Sequence, residues 1–97
     1  MPYTSQKDRN NVDAEIDELL EQIKITPSGK TKGCCNYVIS RLVAAAMKPE
    51  EGWNYAALSS ARGIFTDAGE EFARRLMAPY EDEAINKNGD IPEYSEN

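Results

Sequence analysis

One stretch of the sequence combines an aromatic ring, two cations and two hydrogen-bonding side chains at helical spacing. Tyr37, Arg41 and Lys48 fall on one stripe of an α-helix, and Asn36 and Ser40 lie beside that stripe. Arginine binds phosphate oxygens through two parallel hydrogen bonds, and a tyrosine ring stacks on a nucleobase. Amide and hydroxyl side chains can hydrogen-bond the edges of a base. The pattern predicts a nucleotide site; the alternative is a solvated basic face with Tyr37 packed at its margin.

Charge is distributed unevenly around this stretch. The chain has a net charge of −6, yet residues 22–49 contain no acid and five cations, which are Lys24, Lys30, Lys32, Arg41 and Lys48. Such asymmetry indicates an anionic partner for the middle segment. The alternative is that these cations pair with the acidic flanks inside the fold. Duplex nucleic acid is excluded as the partner, because the chain as a whole is acidic and no basic helix is long enough to track a groove.

Two pairs of acids have a spacing that could hold Mg²⁺. Glu15 and Glu18 are three residues apart, as are Asp67 and Glu70. Carboxylate pairs on facing helices hold Mg²⁺ for pyrophosphate cleavage in all-α nucleotide pyrophosphohydrolases, although the second pair here inverts their E-x-x-D order. In a chain with 17 acids such spacings also arise by chance. We therefore expect solvated helix faces and predict no metal or cofactor.

A third cluster lies near the carboxyl end, where residues 79–83 read Pro-Tyr-Glu-Asp-Glu. These acids could close over the basic helix and pair with Arg41 or Lys48. They could equally contact a partner subunit, or form an ordinary capped surface helix.

The elements that must position these residues are all helical. Apolar residues recur at intervals of three and four, and no strand pattern or internal repeat occurs. The pattern predicts an all-α fold, a small bundle of three main helices and a short carboxyl-terminal one, in a single domain of residues 1–97. We expect a first turn at 6–9, helices at 12–24, 34–48, 53–77 and 79–87, an amino-terminal arm at 1–10 and a flexible tail at 90–97.

The helix predicted at 34–48 has an apolar arc wider than one neighbouring helix can cover. It is therefore either the central helix of the subunit or part of a subunit interface. A 97-residue chain buries a modest core, and oligomerisation is a usual remedy. We expect a homo-oligomer, a dimer or tetramer.

The composition of the chain indicates its cellular compartment. No apolar run approaches the roughly 20 residues of a membrane span, and the first residues do not resemble a signal peptide. The two cysteines, Cys34 and Cys35, are adjacent in the sequence and poorly placed to bridge each other in a helix. These features predict a cytoplasmic protein with reduced thiols. The absence of histidine removes the commonest general base.

Three blocks resemble a family of roughly 100-residue proteins of unknown function, found in bacteriophages and some prokaryotes. The opening block has Met1-Pro2-Tyr3 with Gln6 and Arg9. The central block is Asn36-Tyr37-Val38-Ile39-Ser40-Arg41-Leu42. The final block has Pro79-Tyr80-Glu81-Asp82 with Asn88-Gly89-Asp90. The resemblance spans nearly the whole chain and by itself implies no activity.

In size, helical content and lack of catalytic residues the chain is also similar to phage anti-CBASS sponges. These small oligomeric proteins sequester the cyclic oligonucleotide signals of bacterial immunity without cleaving them. The analogy implies a non-enzymatic sponge in the host cytoplasm, for a ligand such as a cyclic dinucleotide bound between subunits. The alternatives are the Mg²⁺-dependent pyrophosphohydrolase and a structural or protein-interaction module.

Under the sponge hypothesis each candidate residue has a role. Phosphates contact Arg41, Lys48, Lys30 and Lys32; bases stack on Tyr37 and Tyr55; base edges contact Asn36, Ser40 and Arg62; further candidates are Arg9 and Tyr80.

Overall fold

The computed structural model describes residues 3–95; Met1 and Pro2 of the opening block, and Glu96 and Asn97 of the predicted tail, lie outside the described residues. The elements in chain order are α1 (Gln6–Ile25), α2 (Lys32–Met47), α3 (Tyr55–Phe72), a π-helical segment (Ala73–Met77) and α4 (Ala78–Asn88). The described part of the chain contains no strand, and the all-α class is confirmed. The chain divides into two units, Met1–Ala61 and Arg62–Asn97. The prediction of a single domain stays a prediction.

Helix α1 begins at Gln6, so the first turn predicted at 6–9 and the helix predicted at 12–24 form one continuous helix. Ser5 caps it, because its hydroxyl accepts a hydrogen bond from the Asp8 amide at 3.3 Å. Arg9 also fixes this end, since its Nε donates to the Thr4 carbonyl at 2.9 Å. The predicted arm at 1–10 is therefore helical from Gln6 onward.

The connector between α1 and α2 is closely hydrogen-bonded. The Thr26 amide donates to the Ile23 carbonyl at 3.2 Å, and the Gly29 amide donates to the Thr26 carbonyl at 2.9 Å. Gly29 is buried, and a Cβ atom placed on it would lie 2.0 Å from the Ile23 carbonyl oxygen. Only glycine fits this turn, which sets where α2 starts.

Helix α2 starts two residues earlier than predicted, at Lys32, because Thr31 caps it. The Thr31 hydroxyl accepts from the Cys34 amide at 3.2 Å. No residue of α2 is buried, and Ile39 and Leu42 on its apolar arc are 49% and 56% exposed. Within this chain α2 is therefore not a buried central helix, which leaves the subunit-interface alternative open.

Helix α3 begins at Tyr55, two residues later than predicted. The preceding turn has Gly52 at a φ of 102°, a conformation that favours glycine. The Asn54 side chain then accepts from the Ala57 amide at 2.9 Å and starts the helix.

The short helix predicted to start at Pro79 is present, whereas the helix predicted at 53–77 is not a regular α-helix throughout. The α-helix gives way at Ala73 to a π-helical segment, and α4 begins at Ala78, with Pro79 in its first turn. Proline lacks an amide hydrogen, so it fits the first turn of a helix, and the widened π turn precedes it. The chain stays helical from Tyr55 to Asn88. Gly89, at a φ of 90°, ends α4 as predicted.

Few side chains are buried. Among residues 3–95, Ala61 is the one buried side chain, and large apolar residues are exposed in both units. No helix in the described residues is long and apolar enough to cross a membrane.

Candidate functional site

The candidate site lies on the polar face of α2, where two side-chain pairs run side by side. The Ser40 hydroxyl donates to the Asn36 side-chain oxygen at 3.1 Å. One residue further along, the Arg41 guanidinium lies 5.9 Å from the centre of the Tyr37 ring. Both pairs join residues four apart, which face each other on a helix. The structure therefore brings together four of the predicted site residues.

The Tyr37–Arg41 pair positions a charge beside an exposed ring. Tyr37 is 62% exposed, so one surface of its ring remains open to solvent. A cation–π contact at an exposed site contributes about 0.5–1 kcal/mol, enough to bias the guanidinium toward the ring. The pair can thus offer a stacking surface together with hydrogen-bond donors for a phosphate.

One of the five cations of the middle segment pairs with an acid of the amino-terminal flank. Lys24 pairs with Glu21 at 3.3 Å. The other four cations form no ion pair with any residue from 3 to 95; they are Lys30, Lys32, Arg41 and Lys48. Within the described chain, their charge is available to an external anion.

These cations do not converge on one point. Lys48 is the cap residue that follows α2, about 16 Å along the helix axis from Tyr37 and about 10 Å from Arg41. Lys32 is the first residue of α2, about 140° around the axis from Tyr37 and close to the side that carries Asn36. A ligand that contacts all of them must therefore span the length of α2, as an extended molecule with more than one anionic group can.

The start of α2 adds backbone donors. The amides of Cys34 and Cys35 donate to the hydroxyl and the carbonyl oxygen of Thr31, respectively. The amides of Lys32 and Gly33 are left at the exposed end of the helix, where the helix dipole favours an anion. Lys30, in the preceding turn, and Lys32 stand at this same end.

The remaining predicted site residues lie elsewhere. Tyr55 is the first residue of α3 and is 85% exposed. Arg9 is engaged at the start of α1. Arg62 and Tyr80 belong to the second unit.

The two acidic pairs lie in different units of the chain. Glu15 and Glu18 lie on α1 in the first unit, and Asp67 and Glu70 lie on α3 in the second. From residue 3 to residue 95, no three side chains of His, Cys, Asp or Glu gather in a way that could hold a metal ion.

Sequence reasoning missed an ion-pair cluster beside the π segment. The Glu71 carboxylate accepts a hydrogen bond from Arg74 at 2.6 Å and lies 3.8 Å from Arg75. The Arg74 hydrogen bond is the main cause that holds the pKa of Glu71 below its usual value. The spacing of three and four residues could have revealed this cluster.

Sequence reasoning also missed the contact of the Cys35 thiol with the Gly29 carbonyl, at 3.6 Å. Cys34 and Cys35 form no disulfide, as their adjacency predicted.

The fold and this surface define a small all-α protein with an exposed basic and aromatic helix face. The chain belongs to the family described as Domain of unknown function (DUF6899), whose model matches residues 1–91. This confirms the resemblance to a family of unknown function over nearly the whole chain. No curated protein and no solved structure matches it.

Proposed function

We propose that this protein is a non-enzymatic nucleotide-binding protein, a phage-encoded sponge that sequesters cyclic oligonucleotide signals such as cyclic dinucleotides. The observation that carries the proposal is the Tyr37–Arg41 pair on an exposed helix face, among cations without an ion-pair partner in the described chain.

The chemistry of this face suits a nucleotide better than a simple anion. A bare phosphate needs only charge, whereas the open Tyr37 ring offers a stacking surface worth about 1–3 kcal/mol per base. The Asn36–Ser40 pair lies next to the ring and offers donors and acceptors for a base edge. Charge, ring and polar pair together match the parts of a nucleotide.

The spacing of the cations favours a ligand with two phosphates. Arg41 and the cap residue Lys48 are about 10 Å apart along α2, which one phosphate group cannot bridge. A cyclic dinucleotide carries two phosphate charges and two bases in one rigid molecule. Such a ligand can use the two cations at once and still stack on Tyr37.

Sequestration requires affinity and no chemistry. The runner-up, a Mg²⁺-dependent nucleoside triphosphate pyrophosphohydrolase, requires Glu15, Glu18, Asp67 and Glu70 to hold a metal, and no observation favours that arrangement.

A structural or protein-interaction module is the third candidate, and the exposed apolar side chains of both units favour it. Phe72, Leu76 and Leu42, for example, are each more than half exposed. Exposed apolar patches mark interaction surfaces. This candidate does not account for the arrangement of charge and ring on α2.

One experiment separates these functions. The purified protein is incubated with Mg²⁺ and a panel of cyclic dinucleotides, cyclic trinucleotides and nucleoside triphosphates, then heat-denatured, and the supernatant is analysed by chromatography. Tight binding followed by recovery of intact cyclic ligand supports the sponge. Pyrophosphate release would replace it with the enzyme, and the absence of both would leave the interaction module.

A matched pair of variants tests the site. Arg41→Ala removes a cation that has no ion pair, and Lys24→Ala removes one that Glu21 already neutralises. Losing a charge-assisted contact to phosphate costs about 1.5–3 kcal/mol, so Arg41→Ala is expected to raise Kd about 10- to 100-fold. Lys24→Ala is expected to leave Kd nearly unchanged. Equal effects of the two variants in titration calorimetry would refute the site.

A further inference from the structure

A stripe of exposed apolar side chains runs along the second unit. It consists of Ile64, Phe65, Ala68, Phe72 and Leu76, spaced at intervals of one, three or four residues, and is called here the apolar stripe. Its four large side chains are 39%, 43%, 58% and 61% exposed in chain order. Residues at such intervals share one side of a helix, so the stripe is continuous.

The π segment keeps the end of the stripe in line. Residues 73–77 form a π turn, in which the Ala78 amide bonds the Ala73 carbonyl, five residues back. A π turn holds about one residue more than an α turn, so Leu76 falls nearly above Phe72 rather than a step around the helix. The stripe therefore passes through the irregular segment without a break.

The acids of this helix do not interrupt the stripe. Asp67 and Glu70 project more than 100° away from its centre in an α-helix. Glu71, at its edge, is already paired with Arg74 and Arg75. A partner can cover the stripe without burying an unpaired carboxylate.

The open area is large enough for an interface. Half-exposed Phe, Leu and Ile side chains each leave on the order of 100 Å² open, which gives roughly 400 Å² for the four large residues. Met77, at 47% exposed, and the surface of Ala68 and Gly69 add to this. Two copies that cover each other here would bury about 1,000 Å² in total, the lower limit for a specific interface.

The stripe is also complementary to itself. Its centre, Ala68 beside Gly69, is small and exposed, and a Phe lies three residues to either side, at positions 65 and 72. A two-fold axis that passes between Ala68 and Gly69 brings two copies close at the small residues. It then sets Phe65 of each copy against Phe72 of the other, in antiparallel order. Two-fold interfaces need a patch that fits its own copy in this way.

We propose that the apolar stripe is the surface on which two copies of this chain pair, antiparallel about a two-fold axis at Ala68 and Gly69. This surface lies on α3 and the π segment and is distinct from α2, so the assembly does not depend on the proposed ligand.

Light scattering after gel filtration tests the pairing. The full chain is expected to elute with at least twice the 10.8 kDa chain mass. Phe72→Asp places a charge in the stripe and is expected to reduce the mass to that of one chain. The control Thr66→Asp adds the same charge on the opposite face of the same helix and is expected to leave the mass unchanged. A monomeric wild-type chain would overturn the proposal, and so would an unchanged mass for a folded Phe72→Asp.

Cross-linking gives a second test that does not depend on Phe72→Asp folding. In a chain with Cys34→Ser and Cys35→Ser, an added Ala68→Cys lies beside its own copy at the axis. Mild oxidation is expected to link most of the protein into a covalent pair on a non-reducing gel, whereas Thr66→Cys is expected to remain unlinked. Equal linking of the two variants, or none for Ala68→Cys, would contradict the antiparallel arrangement.

Discussion

Helix α2 and the segment around the π turn both contain cations, but only the cations of the π segment are paired with an acid of their own helix. Around the π turn one carboxylate, Glu71, holds two arginines, at 2.6 and 3.8 Å. On α2 and its ends, four cations have no ion pair within the described chain, and Arg41 lies instead beside an exposed ring.

The comparison separates cations that are paired within their own helix from cations that are not. Cations three or four residues after an acid are satisfied by their own helix, and they stabilise it slightly. Cations in a stretch without acids have no such partner and remain available to a ligand. The two segments also differ in what they leave open, a polar face on α2 and the apolar stripe on the second unit.

The largest expected effect comes from disturbing the connector that positions α2. Gly29→Ala places a methyl group against the Ile23 carbonyl oxygen, at 2.0 Å before any shift. We expect a loss of about 3 kcal/mol in the free energy of unfolding, measured by urea denaturation. Gly33→Ala is the control, because a Cβ at Gly33 meets nothing within 4 Å. It is expected to stabilise α2 by about 0.5 kcal/mol. Similar destabilisation of the two variants would mean that the Gly29 contact does not decide the effect.

The second prediction concerns the ring on α2. Tyr37→Ala removes the stacking surface and is expected to weaken cyclic dinucleotide binding about tenfold or more, measured by calorimetry. Tyr37→Phe keeps the ring and is expected to bind within about twofold of the wild type. Tyr94→Ala removes a similarly exposed ring, 78% exposed, from the carboxyl-terminal segment and is expected to have no effect. A large loss for Tyr37→Phe would assign the role to the hydroxyl instead.

A smaller effect is expected from salt, to which ligand binding on α2 and the thermal stability of the chain respond differently. The cations of α2 are exposed, so raising NaCl from 50 to 500 mM is expected to weaken ligand binding several-fold by screening. Thermal stability is expected to change little over the same range, because exposed ion pairs such as Lys24 with Glu21 contribute little. Binding that is independent of salt would remove the electrostatic part of the proposal.

The smallest expected effect is a pH dependence that arises from Glu71. Its pKa is lowered from 4.5, first by the Arg74 hydrogen bond, so the pairing contributes stability above the unfolded value. That contribution is lost as the pH falls below 4.5 through the folded pKa. Glu71→Gln is expected to flatten this part of a melting-temperature profile between pH 6 and 3. An unchanged profile would show that the pair contributes nothing to stability.

Spacing along a helix predicted the parts of the structure that depend on local geometry. Tyr37 with Arg41, and Asn36 with Ser40, meet because residues four apart face each other on a helix. The all-α class followed from the same periodicity. Lys48 lies on the same stripe but about 16 Å from Tyr37 along the axis, so a shared stripe does not by itself bring residues together.

The features that escaped prediction depend on a single hydrogen bond or on a change of helix type. The first turn at 6–9 was predicted, but α1 continues from it through the two asparagines at positions 10 and 11 into the main helix. Pro79 suggested an ending or a kink because proline breaks a regular α-helix, whereas a π turn precedes it here. The close approach of Gly29 to Ile23 depends on backbone geometry that composition does not encode.

The π segment also sets the rotation of α4 about the helix axis relative to α3. It is equivalent to one extra residue inserted in an α-helix, so deleting one residue within 73–77 would restore an unbroken α-helix. After such a deletion α4 would keep nearly its present direction relative to α3, because the π turn already absorbs the extra residue. If residues 73–77 instead became regular α-helix without a deletion, everything after them would turn by about 100° relative to α3. Tyr80 and its acidic neighbours would then face another side of the helix with no change of sequence, so the helix type of this one turn decides which direction the carboxyl-terminal acidic cluster faces.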